Sequence, residues 1–332
     1  MQAYDRISRY KAALMGISIL VVVYGHLLYY HSGMKQYQYL GITEWYTVGS
    51  VDVFLFLSGF GIYRSLKRNG DPLAFMARRL DRLVPSYLPF ILVFCGFMLA
   101  TGQMTFLQAL GNLTTFGWWT RMGAQFNWYI PTLLAAYLAS PLLFGLLEKY
   151  GRRSLWLFAL LLLLDAACVD TSLMMGVSRF PVYFLGMYTG REAALGKQPT
   201  RRHLLISGVL FAGSMTAFYF LVTRWPDGLS RYGFWWHPFF FSTPATLYGI
   251  TWVLERLEKR KPTALLNRGL EFLGGKSFEI YLLHLLVYTV GMTLGVRGWK
   301  KWICLALLGI LTGIGYSLLV DAFTAWRKRR NA

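Results

Sequence analysis

No stretch of this chain is polar for long enough to make a water-soluble domain. Of its 332 residues only 15% are charged, 55% are hydrophobic, and the mean hydropathy is +0.41. Acidic residues are scarce, 15 Asp and Glu against 34 Lys and Arg, so the formal net charge is +19. Cysteine is nearly absent. Cys95, Cys168 and Cys304 are widely spaced and sit in apolar runs, which argues against a disulfide framework or a zinc site and leaves them as small buried hydrophobes. No long-period repeat, low-complexity tract or glycine-rich phosphate fingerprint occurs, since "GFGIYR" at 59–64 lacks the last glycine of GxGxxG. A Gly-x-Ser-x-Gly elbow is also missing. The fifth residue after His26 is His31, so no His-x4-Asp motif is present there either.

What the chain does have is a succession of apolar windows. They predict ten helices, over 12–30, 46–63, 83–101, 127–147, 155–169, 179–190, 204–222, 237–254, 277–295 and 302–323. The expected fold is all-α: a polytopic membrane protein, one bundle of about ten transmembrane helices filling 1–332, with the lipid bilayer as its solvent. Arg6, Arg9 and Lys11 precede the first run, as in a signal peptide, but that run is about 19 residues long and further spans follow, so it reads as an uncleaved helix. With both termini cytoplasmic, the segments placed inside hold 26 of the 34 Lys and Arg and those outside the other 8. The basic excess thus sets topology. It forms short clusters between apolar runs with no sustained basic face, and no nucleic-acid partner is implied.

The most informative connection is "RSLKRNGDPLAFMARRLDRLVPSY" (64–87), in which a Gly-Asp-Pro turn leads into a helix-like stretch carrying Arg78, Arg79 and Arg82. Arg78 and Arg82, four apart, share a helix face. Two readings stand: a site for the phosphates of a polyanionic cofactor, or a positive-inside loop resting on anionic lipid.

Ionisable groups at membrane depth are costly and usually face a bundle interior or a watery cavity. His26, Asp52, Asp165, Glu279, His284 and Asp321 fall within predicted spans, His31 and His203 lie at edges, and His237 opens the eighth helix. His26 lies 14 residues beyond the start of the first span, about 21 Å into a core about 30 Å thick. Kept neutral by burial, its imidazole can take a proton from a hydroxyl; alternatively it only makes an interhelical hydrogen bond of about 1 kcal/mol. Asp52, in "SVDVFLFLSGFG" (50–61), falls at similar depth and is placed to orient that imidazole, while Ser58, Gly59 and Gly61 allow close approach of a helix or a ligand. Glu279 and His284, five apart, are about 140° apart around a helix and so form no same-face pair. His284 reads as structural or pore-lining rather than catalytic, and Asp165 is given no role. Trp118, Trp119, Trp128, Trp235 and Trp236 lie near predicted outer boundaries, as an interfacial belt or as stacking surfaces for a sugar.

Six segments in order now carry a resemblance: "ALMGISILVVVYGH" (13–26), "SVDVFLFLSGFGIY" (50–63), "RRLDRLVPSY" (78–87), "NWYIPTLLAAYLASPLL" (127–143), "RFPVYFLGMYTGR" (179–191) and "LGGKSFEIYLLH" (273–284). Over nearly its whole length the chain resembles the acyltransferase-3 family of integral membrane acyltransferases. The resemblance implies a ten-helix protein of the bacterial cytoplasmic membrane. Such a protein passes an acyl group from cytoplasmic acetyl-CoA, or another acyl-CoA, to a hydroxyl of a surface polysaccharide, glycolipid or related sugar acceptor, with no metal. The resemblance matches His26 to the family's histidine, the catalytic base, puts the donor phosphates on Arg78, Arg79 and Arg82, and sets Asp52 and Glu279 at matching acidic positions; the residues themselves suggest Asp52 beside the base, with Ser58, Trp128, Glu279 and His284 as candidate lining residues. The family commonly has Arg or Lys eleven residues before the histidine, nearly the same helix face about 16 Å nearer the cytoplasm, and this chain has Met15 there. The alternatives are a glycolipid or polysaccharide transporter, and a non-catalytic membrane partner that retains the fold.

Overall fold

The computed structural model describes residues 1–30, 46–169, 171, 173–225, 237–259 and 261–331; His31, Trp235 and Trp236 lie outside these. Helices follow one another as α1 (Ala3–Arg9), α2 (Lys11–Tyr30), α3 (Gly49–Arg68), α4 (Pro72–Ala100), α5 (Phe106–Leu113), α6 (Phe116–Trp119), α7 (Tyr129–Tyr150) and α8 (Trp156–Ala167). The order continues with α9 (Met174–Val177), α10 (Phe180–Ala194), α11 (Arg201–Arg224), α12 (His237–Glu258), α13 (Lys261–Gly275), α14 (Ser277–Thr293) and α15 (Trp299–Asn331). Among the described residues there is no strand, and each of the ten predicted windows falls on a helix.

Among the described residues, five stretches are by length and composition apolar enough to cross a membrane: Lys11–Tyr29, Pro72–Ala100, Tyr129–Ala167, Arg201–Arg224 and Trp299–Arg330. α3 is not among them, and its surroundings explain why it need not be. Eleven of its 20 residues are buried against other helices, so it can carry Asp52 and several small polar residues without offering them to lipid. α11 is the opposite case, with Phe218 as its one buried residue.

The basic connection is shorter than predicted. Asp71 caps α4 by accepting from the backbone N–H groups of Leu73 (2.9 Å) and Ala74 (3.3 Å), and Pro72 takes the first helical position, where its missing N–H costs nothing. From there the helix continues unbroken to Ala100, so Arg78, Arg79 and Arg82 belong to the same helix as the third predicted span. Pro85 and Pro89 are accommodated within it, and the Tyr316 hydroxyl of α15 donates to the Ser86 carbonyl between them (2.6 Å).

Glycines bring the central helices into backbone contact. A Cβ on Gly59 of α3 would land on the Tyr183 carbonyl of α10, and one on Gly186 would land on the Phe56 carbonyl. Gly16 and Gly274 seat α2 on α13 in the same way, and Gly309 seats α15 on α14, where a Cβ would come within 2.7 Å of the His284 Cα. Helices in lipid gain little from hydrophobic exclusion, so this close backbone packing is a main source of their association. At the end of the bundle Arg9 pairs with Glu258 (2.6 Å), and the Tyr10 hydroxyl donates to the same carboxylate. Those two donors hold the Glu258 carboxyl below its ordinary range, while burial and Glu258 together push the Tyr10 phenol up to about 12.

Candidate active site

α2 and α3 lie side by side and run in opposite directions. Gly25 faces Thr47, and 14 residues further along each helix Lys11 faces Gly61. His26 is therefore at one end of this pair and Lys11 at the other, about 22 Å apart at 1.5 Å per residue.

At the His26 end the structure brings together two residues that sequence spacing kept apart. His26 Nδ1 lies 2.9 Å from His284 Nε2, and the two rings stack with centroids 5.1 Å apart. His284 is fully buried, and its Nδ1 lies 2.8 Å from the Ile280 carbonyl on its own helix. A carbonyl can only accept, so His284 Nδ1 carries the hydrogen and its Nε2 offers a lone pair. His26 must then donate through Nδ1, which makes Nε2 the lone-pair nitrogen of its neutral ring. The tautomer of the candidate base is thus set by one backbone carbonyl two groups away.

Asp52 does not do this work. Both its oxygens accept from Arg179 Nη1, at 2.9 and 2.8 Å, and among the described residues it makes no hydrogen bond to His26. Both members of the ion pair are buried, Asp52 at 0% exposure and Arg179 at 1%, and Trp128 lies under the guanidinium (5.4 Å to the ring centroid). The expectation that Asp52 orients the imidazole is corrected: a carboxylate in an apolar bundle pairs with the nearest full positive charge, and His284 occupies the orienting position. Trp128 likewise packs on Arg179 instead of the cavity wall. Sequence reasoning assigns Arg179 no role; the signal for it is an arginine opening an apolar helix at the depth of Asp52. Asp165, given no role, pairs with His237 across α8 and α12.

At the other end of α2, and alongside that helix as far as Val22, lies a cavity of about 890 Å³. Its mouth is basic, lined by Arg9, Lys11, Arg78, Arg79, Arg82, Arg327 and Lys328. Arg9 is taken by Glu258 and Arg327 by Asp81 (3.1 Å), but Lys11, Arg78, Arg82 and Lys328 make no ion pair or hydrogen bond among the described residues. Arg79 lies over the rings of Phe75 and Tyr137, and its Nε is buried without a hydrogen-bond partner. Further in, the wall carries Met15, Ser58 and Glu279, whose carboxylate accepts from the Ser86 hydroxyl (2.5 Å). Val22, Phe54, Tyr129 and Tyr281 line its apolar reaches. His26 is not on the wall. It stands one turn beyond Val22, and Tyr281 stacks edge-on against its partner His284 (5.8 Å). A basic mouth and an apolar interior suit an amphiphile with a polyanionic head and a slim neutral arm.

A family model described as an acyltransferase domain matches residues 13–322 of the chain. The match covers both histidines, the buried Asp52–Arg179 pair and most of the cavity wall. No curated protein and no solved structure matches significantly.

Proposed function

Because the chain belongs to the acyltransferase-3 family, and so is a membrane acyltransferase, we propose that it is an O-acetyltransferase using acetyl-CoA or another short acyl-CoA. The acceptor is a hydroxyl on a surface polysaccharide, glycolipid or related sugar, and the protein works in the bacterial cytoplasmic membrane. The donor enters from the cytoplasm. Arg78, Arg79 and Arg82 hold its phosphates, and its acyl arm runs inward past Ser58 and Glu279. His26 Nε2 takes the acceptor's hydroxyl proton as the oxygen attacks the thioester carbonyl. The carbon–sulfur bond then breaks, CoA leaves as thiolate, and the proton on His26 is passed to it or to water. No covalent enzyme intermediate is required.

One observation carries this reading: the chain from the Ile280 carbonyl through His284 to His26, which presents a lone pair on Nε2 one turn beyond the inner end of a basic-mouthed cavity. The test is acyl transfer in membranes holding equal amounts of wild type, His26→Ala and His284→Leu. Losing general-base catalysis costs about 10²–10⁴-fold in rate. His26→Ala should lose that much, and His284→Leu a smaller part of it in kcat with little change in KM for the donor. Full activity of the His26 variant would remove it as the base.

A further inference from the structure

The cation most deeply committed to the cavity is Lys11, to which the basic-loop reading gave no role. Its side chain reaches across at its own level to α3, and a Cβ on Gly61 would come within 2.5 Å of Nζ. The ammonium therefore occupies the space that glycine leaves open, on the cavity wall. There it meets the repulsion of Arg64, Arg79 and Arg82, and among the described residues no carboxylate or hydrogen bond offsets it. Like charges gathered in a partly desolvated site raise the energy of the empty protein, and an anion in their midst lowers it. Burial separates these cations by depth. Lys11 and Arg79 are half-buried, while Arg78, Arg82 and Lys328 are exposed at the rim.

We propose that Lys11, with Arg79, binds the diphosphate of the CoA donor, the phosphate group next to the pantetheine arm, and that the 3′-phosphate stays with the exposed cations at the rim. This rests on the acyl-CoA reading above. It also gives Met15 a physical account: with an ammonium delivered from position 11 through the gap at Gly61, no cation is needed one turn further in.

The experiment measures binding of CoA, 3′-dephospho-CoA and pantetheine to the full chain in lipid nanodiscs, by calorimetry, for wild type, Lys11→Met, Lys11→Arg, Gly61→Ala and Arg78→Ala. Losing one charge-assisted contact should weaken binding about tenfold or more. Lys11→Met is expected to weaken CoA and 3′-dephospho-CoA by the same factor and to leave pantetheine unchanged, with Lys11→Arg restoring most of the loss. Gly61→Ala, whose methyl displaces the ammonium, should weaken the same two ligands. Arg78→Ala should weaken CoA more than 3′-dephospho-CoA. A fold role for Lys11 would instead lower the unliganded melting temperature of Lys11→Met, whereas removing a cation that only meets repulsion in its cluster should leave it equal or higher. Unchanged CoA binding by Lys11→Met overturns the proposal, as does a loss confined to CoA, which would move Lys11 to the 3′-phosphate. If wild type binds pantetheine but gains nothing from the phosphates, the phosphate-site reading itself fails, whatever the variants do.

Discussion

Breaking the Asp52–Arg179 pair by changing one partner would leave a full charge among apolar side chains, and such breakage costs about 3–5 kcal/mol. Replacing both partners by apolar residues of similar volume is often neutral or stabilising, because the desolvation of two ions is removed along with their attraction. These magnitudes separate the two roles that a buried acid near His26 can have. If Asp52 acts only through Arg179, as the geometry has it, then Asp52→Leu lowers the amount of folded protein, while the double variant Asp52→Leu/Arg179→Met recovers folding and transfer together. An orienting acid for His26 would behave otherwise, with the double variant folded and inactive. Fluorescence size-exclusion chromatography and acyl transfer on the same samples decide between them. At this scale the sequence singles out polar groups in apolar runs and says little about whom they touch. His26, Asp52 and His284 all stood out as polar groups in apolar runs, but the partnership of His26 with His284 spans 258 residues of chain, and no local spacing encodes a contact made by helix packing.

Elements were the more legible level, because a bilayer turns apolar run length directly into helix length. The windows at 83–101 and 277–295 both fall on helices; the difference at α4 is one of continuity, since the helix-like stretch expected after the Gly-Asp-Pro turn and the 83–101 span form one helix, capped by Asp71 and opened by Pro72, and the arginines ride on it. What the windows could not give is which helices touch. That is written in the glycines, and only through their neighbours. At Gly186 a side chain meets the backbone carbonyl of Phe56, which cannot turn aside as a side chain would, so α3 and α10 must separate. Gly186→Val is therefore expected to destabilise the bundle by about 1–3 kcal/mol or more, the usual range for overpacking, and to loosen the Asp52–Arg179 pair that these two helices carry. Gly208, where a Cβ would meet nothing within 4 Å, provides the control: Gly208→Val on the little-buried face of α11 should leave the melting temperature in detergent near wild type. Equal losses at both sites would mean that α3 and α10 do not pack through this glycine.

Across the whole molecule, charge placement and cavity placement agree. The mouth cations, including Arg9 and Arg327, whose charges are met by carboxylates, all come from segments that the count of Lys and Arg puts inside. If both termini are cytoplasmic, as that count expects, the basic mouth lies on the inner side, and the proposed acyl-CoA donor would need no additional binding domain. His26, about 22 Å further along α2, lies toward the opposite face, and the acyl group would travel that distance while the phosphates stay where they bind. A highly charged donor cannot enter from the far side through apolar walls. Acyl-CoA should therefore support transfer only when supplied to the face carrying Lys11 and Arg79. With membrane-impermeant labelled acyl-CoA added outside sealed vesicles, inverted vesicles should modify the acceptor and right-side-out vesicles should not, with permeabilisation rescuing the latter. Equal labelling in intact vesicles of both orientations would place a donor entrance on the His26 side, and the basic mouth would then have to serve something other than the donor.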